Sequence, residues 1–283
     1  MMASAAAVIL YRQVLNLNRS NNSMNCPHSN EVHFWVIDDF PIETSLIAVL
    51  SQEERERYAR ITAPRIKRQF LQTRLALRHI LSHYHGQLPP SHWQFSRNDY
   101  GRPALVGDDF AHGLVFNISH TRGALVIGFA QDGDLGVDVE YTQREARAIA
   151  LADRYFSPEE VRQLQGLDPS LQKAQFFDLW TLKEAYIKAC GMGLALSLAS
   201  FSYRFTEKGV DVGFAASRED DAARWEFWQV QLSSVHQAAI AYGSIAPVSA
   251  SQLQGFRLCA WDEIQAQELE LIRCSERLVQ DEL

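Results

Sequence analysis

Apolar residues along the chain recur at two periods, and each period predicts an element. Between residues 66 and 83 they fall at helical spacing, with Phe70, Leu71, Leu75, Leu77 and Leu81 forming a stripe, which predicts a long amphipathic helix. Short runs of β-branched, aliphatic and aromatic residues predict strands at 32–37, 93–96, 114–118, 124–130, 136–140, 201–205, 225–232 and 237–244. Two helix starts carry a cap serine with glutamate three residues on: Ser51-Gln52-Glu53-Glu54, and Ser157-Pro158-Glu159-Glu160 with proline at the first helical position. Residues 180–188 are rich in helix formers and predict a further helix, and another is predicted to begin within 41–50. Pro89-Pro90 closes the first helical region, and the amphipathic stretch 249–283 predicts a helical extension.

Charge and cysteines narrow the class. The net charge of −7 over 283 residues argues against general nucleic-acid binding, although from Arg57 through Arg60, Arg65, Lys67, Arg68, Arg74 and Arg78 no acidic residue intervenes. That stripe is either a solvated helix face or a means of steering polyanions. Cys26, Cys190, Cys259 and Cys274 show neither zinc nor disulfide spacing, which fits a reducing cytosol. No apolar run approaches the roughly 20 residues a membrane span requires. Residues 3–10 are apolar but lack a preceding basic residue, and 15–30 are rich in Asn and Ser. The start therefore reads as a disordered tail or an over-long start, with Met24 as initiator.

Candidate chemistry lies in the second half. Along Gly136-Val137-Asp138-Val139-Glu140 side chains alternate, so Asp138 and Glu140 share a face. On the helix, Trp180, Glu184 and Lys188 lie four apart on one stripe, so packing the helix on the strand adds a carboxylate and an ammonium to that face. Two carboxylates about 4 Å apart repel by roughly 4 kcal/mol at an effective dielectric near 20. A proton or a cation must relieve them, and oxygen ligands without His or thiolate suit Mg²⁺. The plainer reading is two solvated strand residues and an ordinary helix pair. Upstream, the strand ending in Asn117-Ile118-Ser119-His120 offers a hydroxyl and an imidazole as a phosphate grip, or simply a turn. Arg102 in Gly101-Arg102-Pro103 is a candidate anion contact.

In this order, Gly101-Arg102-Pro103, Asn117-Ile118-Ser119-His120, Gly136 to Glu140, the stretch from Trp180 to Lys188, and Gly191-Met192-Gly193-Leu194 closely resemble the 4′-phosphopantetheinyl transferases of the large single-chain, surfactin-synthetase-activator (Sfp) type. The resemblance implies an α+β fold of two similar halves related by a pseudo-two-fold, with the site in the cleft between them. Residues 31–130 and 131–248 would form the halves, flanked by the tail 1–30 and the extension 249–283. It further implies transfer of 4′-phosphopantetheine from coenzyme A to a serine of an acyl or peptidyl carrier protein, releasing adenosine 3′,5′-bisphosphate. Asp138, Glu140 and Glu184 would hold Mg²⁺. Lys188 would neutralise the leaving phosphate, and Glu184 would be base, ligand or both. Ser119, His120, Arg102 and, in the basic stripe, Arg68 and Arg74 would contact the coenzyme. A monomer in the cytoplasm is expected. Two other readings remain: a Mg²⁺-dependent nucleotide pyrophosphate hydrolase, and an idle module that binds carrier proteins.

Overall fold

The computed structural model describes residues 24–275 and 278, except 87, 108–112, 146, 207–208 and 246–249. The apolar run 3–10 and the tail up to residue 23 lie outside the described residues. Residues 24–30 do not float free: Met24 and Cys26 pack against the first core, and Met24 N donates to His83 O at 2.9 Å. A disordered tail is thus the wrong reading for these seven residues.

One order of elements runs twice along the chain. The first half comprises β1 (Glu31–Ile37), α1 (Gln52–Arg60), α2 (Pro64–His85), the hairpin β2 (Gln94–Arg97) and β3 (Pro103–Val106), then β4 (Leu114–Thr121) and β5 (Ala124–Gln131). The second comprises β6 (Asp134–Tyr141), α3 (Ala148–Tyr155), α4 (Pro158–Gln165), α5 (Pro169–Cys190), the hairpin β7 (Phe201–Phe205) and β8 (Val210–Phe214), then β9 (Trp225–Ser233) and β10 (His236–Gly243). Strands β1-β5-β4 and β6-β10-β9 are laid out in the same antiparallel order, so the chain folds as two similar α+β halves. Both capping boxes predicted from sequence form, at Ser51/Glu54 and Ser157/Glu160. The helix expected within 41–50 is a single 3₁₀ segment, Thr44–Val49.

The predicted helical extension is instead three strands. β11 (Gln252–Ala260) runs parallel to β1, β12 (Glu263–Ala266) turns back on it, and β13 (Glu270–Cys274) joins β9. Phe256 and Leu258 alternate into the first core, a period of two rather than of a helix. Gly255 also lets Gln267 O approach where a Cβ would lie only 2.2 Å away.

The two sheets pack face to face. Phe34, Val126, Leu135, Val137, Val139, Trp228 and Ile240 share one core between them, while α2 and α5 cover separate cores on the outer faces. Strand β6 therefore has an inner apolar face and an outer face turned to α5.

Candidate functional site

The site begins with that alternation. Val137 and Val139 enter the core between the sheets, which leaves Gly136, Asp138 and Glu140 facing α5. Helix α5 comes unusually close at Gly136, where a Cβ would lie 2.0 Å from Ala185 O and 2.4 Å from Ala189 N. Only glycine admits the helix there, and its depth sets where Glu184 and Lys188 stand.

Strand β6 is also an edge of its sheet, and side chains of β4 satisfy its free donors. Val137 N donates to Asn117 Oδ1 at 3.1 Å and Val139 N to Ser119 Oγ at 3.2 Å. Between these two bonds lies Asp138, 5 % exposed, whose Oδ1 accepts from Ser119 Oγ at 3.0 Å and from Lys188 Nζ at 2.6 Å. Lys188 Nζ donates to Ser119 Oγ as well, at 2.8 Å. Carboxylate, hydroxyl and ammonium thus meet where the two halves join. The other oxygen of Asp138, Oδ2, is buried without a hydrogen-bond partner among the described residues. An orphaned carboxylate oxygen is costly unless something else binds it.

Glu140 and Glu184 feel the same centre. Burial first, and the negative charge of Asp138 second, push each of their pKa values up to about 7; Arg144 and Lys188 pull both back, and an indole N–H bond from Trp180 also pulls back Glu140. Arg144 Nη2 lies 2.9 Å from Glu140 Oε1. Carboxyls crowded beside a third carboxylate and shielded from water behave in this way. Even so, among the described residues no three His, Cys, Asp or Glu side chains group closely enough to hold a metal.

Ser119 is bound into the Asp138–Lys188 centre rather than presented as a separate phosphate grip. His120 stands exposed beside it, its pKa held below the usual imidazole value by partial desolvation and by Lys188. Arg68, half-exposed, bonds Asp39 and Phe40 O and lines a cavity of about 140 Å³ with Arg65, Gln72, Thr121 and Gly123. Thr121 in its wall follows His120 at the end of β4.

Two expected coenzyme contacts are placed elsewhere. Arg74 is buried and pairs with Glu54 at 3.3 Å, because the capping-box carboxylate needs internal cations. Arg102 donates to Ala189 O at 2.6 Å, closing a carbonyl at the end of α5 that has no helical partner, and to Leu135 O of β6 at 3.2 Å. Lys183, one residue off the Glu184–Lys188 stripe, is 0 % exposed and pairs with Glu160 at 2.9 Å. Trp180 stacks on Phe176 beside Phe156, and its bond to Glu140 is not readable from the stripe alone. Arg144 and Gly136 were also missed. Gly136 had a sequence signal, a lone glycine inside a strand; Arg144, in a turn, had none.

Residues 134–242 match the family described as the 4′-phosphopantetheinyl transferase superfamily, and residues 41–132 match its relative described as 4′-phosphopantetheinyl transferase, N-terminal. The chain is 37 % identical over 171 residues to the 4′-phosphopantetheinyl transferase HetI of Nostoc sp., covering 59 % of this chain and 71 % of HetI. Against the 4′-phosphopantetheinyl transferase Sfp of Bacillus subtilis it is 35 % identical over 172 residues, 56 % of this chain and 74 % of Sfp. With slr0495 of Synechocystis sp. it shares 37 % identity over 157 residues, which span 56 % of this chain and 63 % of that protein.

Proposed function

The chain belongs to the 4′-phosphopantetheinyl transferase superfamily, of Sfp-like type, and on that premise we propose that it transfers 4′-phosphopantetheine from coenzyme A to a serine of an acyl or peptidyl carrier protein. The observation that carries this reading is the Asp138–Ser119–Lys188 centre, with Glu140 and Glu184 beside it, at the joint of the halves.

Mg²⁺ is the implied metal, and the donors suit it in kind: Asp138 has a buried oxygen without a hydrogen-bond partner, and burial with the charge of Asp138 raises the pKa values of Glu140 and Glu184, so a divalent ion would relieve all three once it draws them together. Asp138, Glu140 and Glu184 would hold it. When bound it would neutralise charge on the pyrophosphate.

The remaining chemistry belongs to the side chains. The serine oxygen bonds to the phosphorus that carries pantetheine, and the bond to the other phosphate breaks. Glu184 takes the serine proton, a task suited to a carboxyl whose pKa lies at about 7. Lys188, with its side chain 28 % exposed, faces the leaving phosphate and offsets its charge as adenosine 3′,5′-bisphosphate departs. His120, next to Ser119 at the end of β4, and Arg68, in the wall of the cavity at Thr121, hold phosphates of the nucleotide end. Both halves of one chain complete the site, which supports action as a monomer, and coenzyme A would be met in the cytoplasm. No helix among the described residues is long and apolar enough to cross a membrane.

Mass spectrometry of a carrier protein incubated with the enzyme, coenzyme A and Mg²⁺ tests the reading. A pantetheinyl adduct is expected. Hydrolysis products alone would point to a pyrophosphate hydrolase, and an unchanged carrier and coenzyme to an idle module.

A further inference from the structure

The carboxylates of the site already have internal cations, and the two cations are held differently. Lys188 rises from α5, packed on β6, and bonds both Asp138 and Ser119. Arg144 hangs from the turn after β6, its side chain 44 % exposed, with its guanidinium 5.3 Å from the centre of the Phe177 ring. It reaches Glu140 Oε1 at 2.9 Å. Phe177 already attracts the guanidinium while it bonds Glu140, since an arginine over an aromatic face is itself favourable, and that contact does not depend on the ion pair.

We propose that Arg144 is a displaceable counter-ion for Glu140. It keeps the carboxylate directed into the site, yields that oxygen to a divalent cation, and withdraws over Phe177 to the rim. The inference rests on the reading that Glu140 is a metal ligand. An ion pair this exposed contributes little on its own, so the exchange is within reach of an ordinary divalent ion. Lys188 is bound too firmly for the same part. Its ammonium bonds two groups that themselves tie β4 to β6, and its displacement would undo the joint. Arg144 therefore sets how tightly the site takes metal, while Lys188 remains for the phosphate.

Calorimetric titration with MnCl₂ alone, at pH 8.5 where Glu140 and Glu184 are mostly ionised, tests this. Arg144→Gln should bind Mn²⁺ about two- to fivefold more tightly than the parent, the range expected for removing one exposed competing pair. Arg144→Lys, which keeps a weaker competitor, should fall between them. Arg122→Gln serves as the control for through-space charge, because its guanidinium lies over Tyr141, 5.7 Å from the ring centre. Thermal unfolding in chelator should show Arg144→Gln slightly less stable than the parent, opposite in sign to its metal affinity. Equal tightening by Arg122→Gln would overturn direct competition, and weaker Mn²⁺ binding by Arg144→Gln would make Arg144 a support for the site. If neither parent nor variant binds Mn²⁺, the metal reading itself fails and takes the inference with it.

Discussion

The two halves place a cation at the same point of their long helix and treat the next residue in opposite ways. Arg78 lies as far from Pro64, the start of α2, as Lys183 lies from Pro169, the start of α5. Each is buried, and each pairs with the glutamate of a capping box: Arg78 with Glu54 at 2.6 Å, Lys183 with Glu160 at 2.9 Å. One carboxylate thus caps a short helix and anchors a long one, twice over. At the following position the halves diverge. His79 packs against Trp261 of the β11–β12 turn, ring centres 4.8 Å apart, and His83 Nε2 donates to Trp261 O at 2.9 Å. Glu184 and Lys188, at the matching positions, face the joint with β4. Strand β11 lies along β1 much as β4 lies along β6, so the C-terminal strands cover in the first half what the second half leaves open. The scaffold is therefore common to both halves, and the chemistry depends on what stands beside the helix.

The largest effects should come from breaking the shared anchor. Lys183→Met leaves Glu160 buried without its cation and strips two carbonyls, Leu198 O and Phe201 O, of their donor. Loss of about 3–5 kcal/mol of stability is expected, measurable by denaturant unfolding. Arg78→Met should cost less, because Arg74 still faces Glu54. The double change Glu160→Gln with Lys183→Met should recover part of the loss. Equal losses in the two halves would show that Arg74 adds nothing.

Next in size are changes that touch only the open half. Asp138→Asn and Glu184→Gln keep shape and remove charge, and each should lower turnover by about 10²–10³-fold with the fold intact, as for loss of one group that stabilises a transition state. His79→Gln, at the covered position, should leave turnover unchanged. Single-turnover kinetics with a carrier protein would check all three; a comparable fall for His79→Gln would end the contrast between covered and open positions.

A pH series sharpens the same contrast. Burial first, and His83 second, hold the His79 pKa down to about 4. The unfolded chain takes that proton first, near the ordinary 6.5, so stability present above this value falls as pH drops toward 4, by up to about 1.4 kcal/mol per pH unit. Glu184 has the opposite sense. Its pKa is raised from 4.5 to about 7, so stability present below 4.5 is lost as pH rises through 7. Unfolding at pH 4.5, 6 and 8 should show the two variants changing the slope between pH 4.5 and 6.5 in opposite senses, His79→Gln removing a rise in stability with pH and Glu184→Gln removing a fall. If both changed the slope in the same sense, one of the two environments would be wrongly described.

Local signals carried much of this into the sequence. Each capping box, the shared face of Asp138 and Glu140, and the Glu184–Lys188 stripe is set by residues only two to four apart, where periodicity and cap chemistry suffice. What was illegible depends on partners far along the chain. Arg74 and Arg78 read as part of a charged stripe because Glu54, their partner, sits on another helix. Arg102 looked like an anion contact until the end of α5 was brought against it. Residues 252–260 could not declare themselves a strand without β1, more than two hundred residues earlier. The duplication is hidden for a related reason: the halves share geometry at Arg78 and Lys183 but not residue type.

The smallest effect separates the two capping boxes themselves. Ser51→Ala and Ser157→Ala each remove a side-chain acceptor from a helix N-terminus, a loss of about 1 kcal/mol. Ser157 should cost the more. Its hydroxyl also donates to Glu160 Oε2 at 2.8 Å, and Glu160 is 0 % exposed, so without it a buried carboxylate already engaged by Lys183 and Tyr203 N loses one of its donors. Glu54 is 8 % exposed and has two arginines besides its cap, so Ser51 is more easily spared. Chemical unfolding of the two variants side by side would decide it. A larger loss for Ser51→Ala would mean that the α1 cap, rather than the α4 cap, holds its glutamate in register with the long helix.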